Sequence, residues 1–222
     1  MNQKNKVKLF ILSAAFSLGL TASANAQDTA TNTTPTSSPA PMETGSGLLG
    51  SGYTEVAWNY LHLDDGPPSA ARGFSLNYNQ PVSAGWDFNA KYDGAKAEAF
   101  GVSVTQQKFD LGVTAFSPLE WGKPYAQVLG GWVWQKGGGV HDDSFAYALG
   151  TGIEFKVAPA MVLTPYVNFV RATGFNQSEV DIGVKAAYRL SKEWSLTARA
   201  QYDSVQHSSD ATEYSVGVAY HF

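Results

Sequence analysis

The chain has no cysteine among its 222 residues. It can therefore build no disulfide framework and carry out no thiolate chemistry, although an oxidising compartment would permit bridges. Long hydrophobic runs are nearly missing as well. The one of note, Leu9 to Leu20, is shorter than the ~20 residues a spanning helix needs. It follows Lys4, Lys6 and Lys8 and precedes Ala24-Asn25-Ala26, the order of a secretory signal peptide cleaved after Ala26. Residues 1–26 are thus expected to be no part of the fold. After them no stretch approaches 18 uninterrupted apolar residues. A membrane crossing must then be made by strands, because only helices and closed barrels satisfy every backbone group in lipid. Positive charge is scarce too: of 15 Lys and Arg three belong to the leader, which leaves 12 against 19 Asp and Glu. That acidic excess argues against nucleic acid as a partner. Gly-rich phosphate loops, zinc signatures and paired glycosidase carboxylates are also absent, and no cofactor is expected.

Gln27 to Gly47 (QDTATNTTPTSSPAPMETGSG) is mostly Thr, Pro, Ser and Ala. It is too poor in apolar residues to build a core, so 27–49 is expected to be a disordered periplasmic spacer. From Gly50 to Phe222 the period is two. The last eleven residues, TEYSVGVAYHF, put Tyr214, Val216, Val218, Tyr220 and Phe222 on one face and Glu213, Ser215, Gly217, Ala219 and His221 on the other. One face suits lipid and the other a polar interior. Tyr53 to His62 and Gly73 to Asn79 alternate in the same way, with Val56, Trp58 and Tyr60 and then Phe74, Leu76 and Tyr78 on the apolar side.

Ten such runs can be counted, which predicts an all-β, up-and-down antiparallel transmembrane barrel of about ten strands. Four tight connectors, Pro81 to Gly85, Ser117 to Pro124, Val157 to Met161 and Leu190 to Glu193, fit periplasmic turns and an even strand number. One segment disturbs the pattern. Between Ala97 and Lys108, Phe100, Val102 and Val104 alternate in one phase, and Phe109, Leu111 and Val113 in the other. A bulge at Gln106-Gln107 would reconcile them in one strand; an extra hairpin would make twelve strands. Eight would follow if one hairpin lay outside the membrane.

Two aromatic girdles are expected. Trp86, Phe116, Trp121, Phe155, Tyr188, Trp194 and Phe222 fall near the periplasmic ends, and Tyr60, Phe74, Tyr92, Trp134, Phe145, Phe169, Tyr202 and Tyr214 near the outer ends. Girdle duty accounts for Trp132 and Trp134 without a stacked ligand. With the apolar sets facing lipid, the lumen receives Glu55, Asp87, Asp110, Glu154, Asp181 and Asp203 together with Lys91, Lys108, Lys156, Lys185, Arg189 and Arg199. Charges in so narrow a space are expected to pair. Barrels of about eight strands are filled by side chains, and an open water channel is typical near 16.

Catalytic and metal candidates are few. His62, His141 and His207 fall in or beside outward loops with Asp64, Asp65, Asp142, Asp143 and Asp210, a rim that could hold a metal or bridge to lipopolysaccharide through divalent cations. His221 lies in the closing strand. His207-Ser208-Ser209, with Glu213 on the next strand as orienter, has the makings of a nucleophilic triad. It resembles the His-x-Ser pairing of lipid A deacylases, themselves small barrels, and polar loop chemistry explains the same residues.

Over Gly50 to Phe222 the chain resembles the small bacterial outer-membrane β-barrels, the family of the outer-membrane protein A transmembrane domain, the opacity adhesins and porin-like proteins. LTPYVNF (Leu163 to Phe169), KPYAQVLGGW (Lys123 to Trp132) and the TEYSVGVAYHF ending carry that resemblance. It implies an outer-membrane address, contact with outer-membrane lipid including lipopolysaccharide, and an assembly signal in Val218, Tyr220 and Phe222 read by the barrel assembly machinery. It transfers no catalytic residue, because such folds host adhesins, scaffolds, pores and enzymes alike. The leading functional expectation is a non-enzymatic barrel supporting envelope integrity or surface interaction. A narrow channel and a lipid-modifying hydrolase are the alternatives.

Overall fold

Period-two alternation becomes ten antiparallel strands that close on themselves. The computed structural model describes residues 49–64, 69–99, 102–206 and 209–222; the leader, residues 27–48, Asp65 and His207 lie outside them. The strands are β1 (Tyr53–Leu63), β2 (Ala70–Ser83), β3 (Trp86–Ala99), β4 (Val102–Phe116), β5 (Lys123–Gly137), β6 (Val140–Ala158), β7 (Met161–Ala172), β8 (Gln177–Arg189), β9 (Trp194–Val205) and β10 (Ala211–His221). Each pairs with its sequence neighbours, and β1 pairs with β10 from Tyr53↔His221 to Leu63↔Ala211. Closure leaves no sheet edge unpaired, the condition for strands to survive in lipid. The shortest strands have 11 residues, enough to span a bilayer when tilted.

The polarity of the barrel is inverted relative to a soluble protein. In β1 and β10 buried and exposed residues alternate without a break. Val56, Trp58, Val128, Ile182, Val184, Val216 and Phe222 are exposed, whereas Glu55, Asp87, Lys91, Lys108, Asp110, Asp181 and Asp203 are buried. Exposed apolar side chains around the whole wall and buried charges inside it make this a membrane-spanning outer-membrane-type barrel.

The disturbed segment is neither a bulge nor an extra hairpin. β3 runs on to Ala99, β4 starts at Val102, and their register is continuous from Trp86↔Ala115 to Ala99↔Val102. Val104 points inward with Gln106, Lys108 and Asp110. It packs with Leu61, Ala71, Ala95 and Ala97 in a small apolar cluster inside the barrel. Apolar residues on the inner face at one end of a strand imitate a phase change. The true irregularities lie beside two turns, at Pro81/Ser83 and Lys156/Ala158.

The turns separate the two ends. The four connectors expected to be tight join β2–β3, β4–β5, β6–β7 and β8–β9 at the end that carries Phe222. At the opposite end Gly138 (φ 57°) and Gly139 (φ 80°) link β5 to β6. Two successive positive φ values are the geometry of a type I′ hairpin turn, which glycine adopts without strain.

Candidate functional site

The closed wall encloses a polar lumen with two mouths, and most of the candidate residues lie in one or the other. Eleven of the twelve charged residues expected inside are buried there: Glu55, Asp87, Lys91, Lys108, Asp110, Glu154, Asp181, Lys185, Arg189, Arg199 and Asp203. Lys156 is the exception and must be corrected, since it is exposed. It sits near the end of β6, still in register with the inward Val162, but at the rim, where a long side chain reaches solvent. Phe116 is a second correction. It belongs to no girdle, being buried inside with Tyr125 and Tyr166, because the inward parity of β4 continues to its last residue.

Three inward acids were not counted: Asp93, Glu179 and Glu213 are also buried. Parity alone assigns each of them inward, two residues from Lys91, Asp181 and Ser215. Among the described residues the buried charges are therefore nine carboxylates against five Lys and Arg side chains, and the expected balance of six and six does not hold.

Ion pairs and amide bonds interlock this interior. Glu55 accepts from Lys185 Nζ at 2.7 Å, from Thr197 Oγ1 at 2.5 Å and from Asn77 Nδ2 at 3.2 Å. Arg199 is paired with Glu213. Lys91 meets Asp93 at 3.0 Å, and Lys108 meets Asp110 at 3.2 Å. Between the pairs, hydrogen bonds run along the inner wall: Asn79 to Asn89 at 2.7 Å and Asn89 to Thr114 at 2.9 Å between neighbouring strands, and Gln127 on β5 to Asn168 on β7 at 3.0 Å. Pairing most of its charges is what makes so polar a core tolerable.

The mouth beside Phe222 is stoppered by the chain itself. Composition places Leu49 in the spacer, but Leu49 is only 1% exposed and packs with Val162 and Ala187 inside the barrel. Its N–H donates to Glu154 Oε2 at 2.7 Å, and its carbonyl accepts from Arg189 Nη2 at 2.6 Å. Leu49 has φ 59° and Gly50 φ 87°. A left-handed Leu is sterically costly and persists only where its surroundings hold it. Ser51 Oγ lies 2.9 Å from His221 Nδ1, and Ser195 Oγ lies 2.8 Å from His221 Nε2. This Ser–His–Ser clamp is the one close His–Ser arrangement among the described residues. Ser195 is fully buried and Ser51 half-buried, and the clamp joins three separate chain segments.

The other candidates separate. Glu213, the expected orienter of a His207–Ser209 pair, is turned into the lumen and held by Arg199. His62 and His141 are exposed at the opposite mouth and join no cluster of three metal-ligating groups among the described residues. Trp132 points outward, donates from Nε1 to Asp143 Oδ2 at 2.7 Å and meets Phe145 edge-on. Asp210 accepts from Tyr202 Oη at 2.7 Å and from the Val205 N–H at 3.0 Å, which holds its carboxyl below the usual carboxylate range. Phe222 stacks on Tyr78, ring centres 5.9 Å apart, and its N–H donates to the Gly52 carbonyl at 2.8 Å.

The chain matches no protein-family model and no curated protein sequence. Solved structures similar to it include Ail, the attachment invasion locus protein of Yersinia pestis (14% identity, TM-score 0.39, 78% of this chain and 99% of that one). Neisserial surface protein A aligns at 15% identity and TM-score 0.42 over 77% of this chain and 97% of its own. The β domain of the Bordetella autotransporter BrkA aligns at 12% identity and TM-score 0.49, over 78% of this chain and all of that domain. At such identities the likeness concerns fold alone.

Proposed function

We propose that this chain is a non-enzymatic barrel of the bacterial outer membrane, with a closed lumen, that supports envelope integrity or surface interaction. One observation carries the reading: side chains reach one another over intervening strands inside the barrel, Glu55 of β1 to Lys185 of β8 and Gln127 of β5 to Asn168 of β7, and Leu49 packs into the mouth beside Phe222. A pathway for solute would need those groups to part. Charged groups buried in pairs resist that, because separating them leaves uncompensated charge in a dry interior. The tight turns and Phe222 face the periplasm on this reading, and the exposed apolar wall contacts outer-membrane lipid, with lipopolysaccharide around the opposite mouth. Val218, Tyr220 and Phe222 serve as the signal to the barrel assembly machinery.

A deletion strain complemented in turn by the wild-type gene and by Phe222→Asp tests both halves. Loss of the chain should sensitise cells to detergent; the wild type should restore resistance, while Phe222→Asp should leave unfolded protein in the periplasm and restore nothing. If the deletion slows uptake of a small solute and leaves detergent resistance intact, the scaffold reading fails and a narrow channel takes its place. Wild-type levels of folded Phe222→Asp barrel would refute the assembly role.

A further inference from the structure

The lumen holds one group of charges that the pairing does not reach. Asp181 and Asp203 are direct cross-strand partners on β8 and β9, and Glu179 lies two residues further along β8 on the same inner face. One carboxylate oxygen from each of the three lies within 4.8 Å of the others. Glu179 is 7% exposed and the two aspartates 0%. Like charges set directly opposite on neighbouring strands destabilise a sheet, and carboxylates sharing a buried site require a compensating charge.

The cations of the barrel are engaged elsewhere. Lys91 is paired with Asp93, Lys108 with Asp110, Lys185 with Glu55, and Arg199 with Glu213. Arg189 donates to the carbonyls of Leu49 and Lys192. No ion pair reaches the three acids among the described residues. The neutral donors present leave them half satisfied: Asn168 Nδ2 reaches Asp181 Oδ2 at 3.5 Å, and Gln201 donates to Asp203 Oδ1. Glu179 Oε1, Asp181 Oδ1 and Asp203 Oδ2 are buried with no hydrogen-bond partner. Each acid thus carries a buried oxygen without a partner, and the three carboxyl groups converge on one spot of two adjacent strands.

Access comes from the opposite mouth. Glu179 lines a small cavity open toward solvent, with Gln106, Gln135 and Gln177 on its polar side and Val133, Val170 and Phe175 on its apolar side. The polar side can hold water, and Glu179 stands between it and the two aspartates.

We propose that Glu179, Asp181 and Asp203 form a binding site for a hard divalent cation inside the barrel. An all-oxygen, anionic donor set suits Ca²⁺-type ions, which accept several oxygens in flexible geometry and can complete their shell with water from the cavity. The bound ion supplies the charge that the nine-to-five imbalance lacks at this level and ties β8 to β9.

The test uses the whole folded barrel in detergent, stripped with chelator and titrated with CaCl₂ between pH 6 and 9. Calorimetry should show a site of one Ca²⁺ per chain, and saturation should move the urea midpoint upward. In Asp181→Asn/Asp203→Asn the site and the shift should vanish, while the cation-free midpoint should rise above that of the wild type because the repulsion is gone. Should that variant fail to fold, Glu179→Gln at the cavity wall should weaken the affinity by roughly tenfold or more. No Ca²⁺ response in the wild type at any of these pH values would overturn the proposal, the acids then being neutralised by shared protons. Binding retained in the double variant, or unchanged in Glu179→Gln, would also overturn it and move the ion to the exposed acids Asp142 and Asp143 at the start of β6.

Discussion

Glu55→Ala should lower the stability of the barrel by about 3–5 kcal/mol, the cost typical of removing one partner of a buried ion pair. Glu55 is 3% exposed and gathers donors from three strands: Lys185 on β8, Thr197 on β9 and Asn77 on β2. Without the carboxylate the Lys185 ammonium keeps its desolvation penalty and loses its counter-charge. The double variant Glu55→Leu/Lys185→Met removes both charges, so it should recover much of the loss, since apolar replacement of a whole buried pair is often neutral. Urea unfolding in detergent or lipid measures both. A single variant within about 1 kcal/mol of wild type, on the scale of exposed pairs, would mean that Glu55 and Lys185 are hydrated in an open lumen.

Val184→Arg should cost about 2–4 kcal/mol, the penalty for a cation on the lipid face near mid-membrane. Val184 is 41% exposed at the middle of β8, between Pro165 and Ala200 on its neighbours. Gly183 and Ala148, the inward contrasts that parity suggests, are poor controls. A Cβ on Gly183 would stand 2.6 Å from Tyr166 Oη and 2.9 Å from the Ala200 carbonyl, and Ala148 is buried between Leu129 and Val170. Arg there would fail by overpacking and say nothing about polarity. Gln177→Arg, beside the cavity and two residues from Glu179, places the same cation where acids welcome it and should cost little. Equal losses at Val184 and Gln177, measured by unfolding in lipid, would show that inside and outside are wrongly assigned.

Parity made the fold legible. TEYSVGVAYHF and YTEVAWNYLH each declare two faces, and closure of the wall then needs nothing beyond an even number of such strands. What parity does not carry is the point at which a strand leaves the barrel. Lys156 continues the inward phase of Glu154 opposite the buried Val162, yet at the rim beside the turn its long side chain is exposed. Val104 and Phe116 show the reverse, apolar side chains kept inside because both mouths are packed with apolar clusters. Register between strands is equally invisible in any one strand. Asp181 and Asp203 each look like an ordinary inward acid, and only the β8–β9 pairing sets them face to face. Leu49 stands at the end of a Thr-, Pro- and Ser-rich stretch that gives no sign of it; Glu154 and Arg189, more than a hundred residues away, hold it.

The closed lumen is tested most directly by conductance. Wild-type barrel, purified and inserted into planar bilayers in 1 M KCl, should give no discrete current steps at moderate voltage. Stable, uniform steps from the wild-type protein would contradict the account and make the chain a pore.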